Sequence, residues 1–227
     1  MKGINVVAGF VLAFLSTAHG NPFSCYDNVQ CVAGNALAYD QARCTPEWGA
    51  FPRVNGETND LIQQQLKSSF EYLLIASHFK EWKYNRPGFA NYFSKLSDDN
   101  WDEAINLMLH MVERGGKLIT DFKVDMPGPG DATTSYQLKE IEALSKALDK
   151  ERRTATRTLH LAHLANHGQG VPHDAEFADF LAERLHKNSV LRIKHLANYV
   201  KLLSDIVSDA NVDSAYALFK FDTEYLK

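Results

Sequence analysis

Apolar residues return every three or four positions along several long stretches of this chain, the period of helices that bury one face. The first stretch opens among the N-capping residues of Asn55 to Asp60 and carries Leu66, Phe70, Leu73, Leu74, Ala76, Ser77 and Phe79 between Gln65 and Trp82. Arg86, Pro87 and Gly88 break it, and Pro87 can open the next helix because its missing N–H would have no partner there. The second stripe is Phe89, Phe93, Leu96, Trp101, Ala104, Ile105, Met108, Leu109 and Val112. It stops at Arg114, Gly115 and Gly116, a cation for the negative helix end followed by a glycine C-cap. A long irregular segment through Asp125 to Ser135 follows, the length of a crossover connection rather than a tight turn.

A third helix is expected near Ser135, where Thr134 and Gln137 have capping-box spacing, with Leu138, Ile141, Leu144, Leu148, Leu159 and Leu164 on its stripe. Gly168 and Gly170 end it. Pro172, His173 and Asp174 open a fourth helix carrying Phe177, Phe180, Leu181, Leu185, Val190, Ile193, Leu196, Val200 and Leu203. A short tail, Asp213 to Tyr225, places Ala215, Leu218 and Phe219 on one side. The pattern predicts an all-α four-helix bundle with a crossover between its second and third helices and a small fifth helix.

The N-terminus changes the picture of where the chain works. Met1 and Lys2 precede an uncharged apolar stretch, Val6 to Leu15, and the small residues Ala18 and Gly20 follow, the pattern of a signal peptide cut after Gly20. The stretch is too short to span a bilayer, and no later stretch is longer, so no membrane span is expected. Residues 21–54 read as a cysteine-bearing extension and 55–227 as the bundle domain. Without residues 1–20, 23 basic residues face 28 acidic ones, a net charge of −5 that gives no reason to expect nucleic acid. Cys25, Cys31 and Cys44 all fall in the extension. Three thiols in an oxidising compartment fit one internal bridge and one bond to another chain, with the pairing open; a free buried cysteine is the other arithmetic.

The run Ser69 to Phe79, the corner Asn85 to Phe89 and the ending Arg114, Gly115, Gly116 resemble the ferritin family, most closely the light-chain type of insect secretory ferritins. The resemblance runs from about Asn55 to the C-terminus. It implies a shell of twenty-four subunits shared with heavy-type chains, covalently linked through the N-terminal extension, and residence in the secretory pathway lumen, Golgi or extracellular space. It also implies iron as cargo, ferrous in transit and ferric in a mineral core.

Di-iron sites in such bundles need carboxylates on facing helices, because iron favours oxygen ligands with an imidazole to fix geometry. In the resemblance, the family's ligand positions fall on Gln65, Asn100, Glu103 and Ser189, with Glu151 and Tyr72 kept. Two carboxylates are too few for two irons, so the chain is expected not to be a ferroxidase. Glu103 and Glu151 either bind metal weakly or are satisfied within the bundle by Tyr72 or Arg152. Asp98, Asp99 and Asp102 share one helix face. Alone, such a run is a solvated face; the resemblance makes it the inner patch that seeds ferric mineral. Asp179 matches an acidic channel position, while Ala182 stands where a second carboxylate is expected, beside Glu183. His160, His163 and His167 share a helix face but lack further ligands, and they stay outside the expected site. The reading is thus iron storage and transport as a light-type subunit. Its alternatives are a residual ferroxidase and a secreted helical binding protein without iron.

Overall fold

Each long helix starts where a proline needs no backbone donor or where a side chain replaces one. In the computed structural model, which describes residues 45–119, 138–167, 173–208 and 213–226, α1 is Phe51–Lys80 and has Pro52 in its first turn. It starts four residues ahead of Asn55 and crosses the expected 54/55 boundary, because Pro52 sits in the first turn, where a missing N–H costs nothing. α2 is Pro87–Glu113 with Pro87 as its first residue, as its sequence implies. At its end Gly116 N–H donates to Met111 O at 2.8 Å and Gly115 N–H to Val112 O at 3.0 Å, with Gly115 at φ 79°. This is a Schellman ending, which needs a glycine in the left-handed region.

α3 is Glu140–His167, starting later than Ser135. Leu138 and Lys139 precede it, and Lys139 N–H donates to Glu142 Oε2 at 3.2 Å, so Glu142 supplies the reach-back bond. Thr134 and Gln137 lie outside the described residues, as do Gly168, Gly170, Pro172, the signal peptide segment and Cys25, Cys31 and Cys44. α4 comprises Ala175–Leu181, a π-helical turn Ala182–His186 and Lys187–Ser208. Asp174 caps it, its Oδ1 accepting from Phe177 N–H at 3.2 Å. α5 is Ser214–Lys220 continued by a π-helical turn Phe221–Tyr225. No strand occurs among the described residues.

α1 packs along α2 and against α3, and α3 packs along α4, so the chain between α2 and α3 passes from one hairpin to the other. Two buried links tie the ends. The Asp174 carboxylate also accepts from Ala50 N–H at 3.2 Å and from Arg114 Nη2 at 2.7 Å, joining the starts of α1 and α4 to the end of α2. At the other end Phe89 N–H donates to Asp222 Oδ1 at 2.8 Å, so α5 caps α2 from a distance of 133 residues. Gly88 makes that approach possible: a Cβ there would stand 1.9 Å from Asp222 O.

The core is two apolar clusters, not one. Phe79, Phe89, Phe93, Leu144, Leu196 and Phe221 anchor one, and Phe51, Ile62, Leu107, Met111, Phe177 and Leu185 the other. Gln65, Asn100, Glu103, Glu151, Ser189 and Arg192 form a buried polar layer between them.

That layer explains where the expected stripes go wrong. Inward positions of α1 are Gln65, Ser68, Ser69 and Tyr72, so Phe70, Leu73, Leu74 and Ser77 face outward instead. In α2, Leu107 and Met111 are buried, whereas Trp101, Leu109 and Val112 are exposed. Leu159 of α3 and Val190 of α4 are exposed too, with Leu161, Ser189 and Arg192 inside. α5 buries Ala217 and Phe221, while Ala215 and Phe219 face out.

Candidate metal centre

Four long helices bring their polar-layer residues to one point midway along the bundle. Gln65 and Tyr72 come from α1, Asn100 and Glu103 from α2, Glu151 from α3, and Asn188, Ser189 and Arg192 from α4. Two buried carboxylates here require compensation, since an uncompensated buried charge costs several kcal/mol.

The compensation is Arg192. Its Nη1 donates to Glu103 Oε1 at 2.6 Å and its Nη2 to Glu103 Oε2 at 3.0 Å, a two-pronged pair. Its Nε donates to Glu151 Oε2 at 2.8 Å. Tyr72 Oη donates to the remaining oxygen, Glu151 Oε1, at 2.9 Å, and Gln65 Nε2 adds a 2.8 Å bond to Glu103 Oε2. All four carboxylate oxygens are therefore engaged. Asn100 Nδ2 bonds Leu96 O at 2.8 Å and Ser189 Oγ bonds Leu185 O at 3.0 Å, so both turn to their own helices. Asn188 makes a long contact, 3.4 Å, to Glu103 Oε1.

Electrostatics agree with this geometry. Burial raises the Glu103 carboxyl above its ordinary range, although the Arg192 bonds pull the other way. Burial would lower the Arg192 guanidinium, but Glu103 and Glu151 outweigh it and hold the charge firmly in place. Tyr72 is raised well above its ordinary value by burial and then by Glu151, so its phenol stays a donor. A divalent ion roughly 4 Å from the guanidinium would meet repulsion of about 8 kcal/mol at an effective dielectric near 20. The centre is built to hold a guanidinium.

Of the expected residues, Glu103, Glu151, Tyr72 and Gln65 do converge. The partner of the two glutamates besides Tyr72 is Arg192 and not Arg152, which is exposed and 3.9 Å from Asp149. Arg192 carries no sequence motif. Its signal is helical phase: it follows Leu185 and Ser189 and precedes Leu196 on the inward face.

The acidic run lies just outside. A groove of about 550 Å³ between α2 and α4 sets Asp99, Asp102 and Glu103 against Lys95, Arg184 and Arg192, with His195 at its side. Asp99 is half-buried, and burial lifts its carboxyl; Arg192 and Lys95 oppose the lift, whereas Asp102 and Asp98 add to it. Asp98 is exposed and outside the groove lining. Asp179 and Glu183 are exposed on α4. His163 and His167 stack with centroids 4.7 Å apart, and His160 does not join them. Among the described residues no three histidine, cysteine, aspartate or glutamate side chains gather closely enough to hold a metal ion. Nor, among them, is any helix long and apolar enough to cross a membrane.

Comparison with known proteins gives this architecture a family. The Ferritin-like domain model matches residues 56–206. A Trichoplusia ni ferritin light chain is 32% identical over 209 residues, covering 90% of each chain. A Drosophila melanogaster ferritin light chain is 27% identical over 206 residues, covering 89% of this chain and 88% of that one. The crystal structure of Trichoplusia ni secreted ferritin superposes with a TM-score of 0.80 at 30% identity, over 89% of this chain and 97% of that chain.

Proposed function

The chain belongs to the ferritin family of iron-storage proteins, and on that premise we propose that it is the light-type, non-ferroxidase subunit of a secreted shell built with heavy-type chains. The observation that carries the reading is Arg192, which takes three of the four carboxylate oxygens at the bundle centre while Tyr72 takes the last. Ferrous iron is oxidised elsewhere, in heavy-type subunits, and this chain receives the ferric product.

The receiving surface is the α2/α4 flank with Asp98, Asp99 and Asp102. The three aspartates, rather than the charge-balanced groove beside them, supply the local negative charge that would concentrate cations where mineral grows. What supports this is the spacing of Asp98, Asp99 and Asp102 on adjoining positions of one helix, since clustered carboxylates are relieved by a cation. Residues 1–20 direct the chain into the secretory pathway. Cys25, Cys31 and Cys44 in the extension 21–54 supply an internal bridge and a link to a heavy-type chain. Asp179 lies on the route of ferrous iron between subunits of a shell of twenty-four.

Two experiments decide the matter. Ferrous oxidation by shells of this chain alone is expected to equal that of a Glu103→Ala, Glu151→Ala double variant; a faster wild type makes the centre a residual ferroxidase. Co-expressed with a heavy-type chain, the Asp98→Ala, Asp99→Ala, Asp102→Ala variant should oxidise iron normally and mineralise it slowly. Unchanged mineralisation reduces the cluster to a solvated face.

A further inference from the structure

A second groove, of about 640 Å³, lies between α1 and α3, and its charge is one-sided where that of the α2/α4 groove is balanced. Its lining includes Lys67, Lys150, Arg152, Arg153 and Arg157 against one carboxylate, Glu71, in a chain whose net charge is −4. Lys150 is paired with Glu71, and Arg157 bonds Gln64 Oε1 at 2.6 Å and lies 3.7 Å from Asp60. Lys67 and Arg153 are exposed, and neither has a carboxylate within ion-pair distance among the described residues.

The groove cations form a short line. Lys150, Arg153 and Arg157 recur at three and four residues on one face of α3. At 1.5 Å rise per residue they extend over roughly 10 Å, with Lys67 facing them from α1. A line of charge of that length suits an extended polyanion better than a single small anion. No aromatic side chain lines the groove, so it lacks the stacking platform that single-stranded nucleic acid uses. Planar guanidinium groups instead match tetrahedral oxyanions.

We infer that the α1/α3 groove is a docking site for a sulfated polysaccharide of the extracellular matrix. The inference rests on the secreted-subunit reading for its compartment, and on the same reading for accessibility: if the flank bearing Asp98, Asp99 and Asp102 faces the mineral, the basic flank faces outward. Repetition of the groove over a shell would multiply weak contacts into retention on a glycan surface.

The test is retention of full-length protein on immobilised heparin across a salt gradient, with Lys67→Ser, Arg153→Ser set against Lys187→Ser, Lys194→Ser. Both pairs remove two exposed positive charges, but only the first touches the groove. By the counterion rule for linear polyanions, the groove variant should elute earlier and lose about 1.4 from the slope of log K against log salt, while the control follows wild type. Wild type in the flow-through at low salt, equal losses in both pairs, or equal retention by unsulfated hyaluronan or by polyuridylate would each overturn the inference. Sizing the same samples keeps the two proposals apart. A heparin-binding chain that never assembles refutes the shell and leaves the groove, and a normal shell that ignores heparin does the reverse.

Discussion

Arg192→Leu tests the account of the bundle centre most directly. The change removes three charge-assisted hydrogen bonds, of 2.6, 2.8 and 3.0 Å, whose gross worth at about 1.5–3 kcal/mol each is roughly 4–9 kcal/mol. The realised loss is smaller, because a stranded carboxylate takes up a proton. Protonating one carboxyl of ordinary pKa near 4.3 at pH 7 costs about 3.7 kcal/mol. Glu151 keeps Tyr72 and Glu103 keeps Gln65, so one protonation relieves the pair, and the expected destabilisation is about 3–5 kcal/mol.

This mechanism has a pH signature. In the variant one carboxyl has a raised folded pKa, so the folded state binds a proton that the unfolded state gives up. Stability then falls as pH rises from the ordinary carboxyl value toward the raised one, and recovers on acidification. Between pH 7 and pH 5 the deficit relative to wild type should shrink by up to about 2.7 kcal/mol for one carboxyl. The assay is denaturant unfolding at both pH values at fixed protomer concentration, since assembly adds to apparent stability. A deficit below about 1 kcal/mol at pH 7, or one that does not change with pH, would refute the reasoning. Adding Glu103→Gln and Glu151→Gln should recover much of the loss by removing the stranded charges.

Other consequences are open to measurement. Asp174→Ala leaves the buried Arg114 with Glu176 as its remaining carboxylate partner and deprives Ala50 N–H and Phe177 N–H of their acceptor, and should cost about 2–4 kcal/mol in denaturant unfolding. Gly88→Ala drives a Cβ into Asp222 O, with an expected loss of about 1–3 kcal/mol, and protease digestion should cut the displaced C-terminal segment first. Asp222→Ala alone should lose about 1–2 kcal/mol, and the two changes should be less than additive because they break one contact. His110 is lowered by burial first, against the pull of Glu176, and stacks on Phe180 with centroids 3.9 Å apart. Its lowered folded pKa means that stability falls as pH drops below about 6.5, where the unfolded chain gains a proton that the native site resists. Unfolding of His110→Gln between pH 7 and pH 5.5 should show a flatter dependence, and an unchanged slope assigns the effect to other groups.

The fold was legible because it rests on periodicity and punctuation. Pro87, the Arg114, Gly115, Gly116 ending and Asp174 act where their chemistry says they should. The family followed from the same residues. Which face turns inward was less legible, and the errors share one cause. A reading that follows only apolar residues slides past a polar layer to the nearest hydrophobe, from Tyr72 to Leu73, from Asn100 to Trp101 and from Ser189 to Val190. Glu103, Glu151 and Tyr72 were recognisable as a set, but Arg192 was not. A buried arginine looks like any helical arginine until two carboxylates from other helices are known to face it.

Because Arg192, a covalent part of the chain, balances Glu103 and Glu151, the bundle centre needs no metal for its share of the folding free energy. Linkage then predicts that a chelator leaves the packing of this layer unchanged. Arg192 is in that sense a permanent stand-in: the bundle can close around its central charges before any ion is at hand.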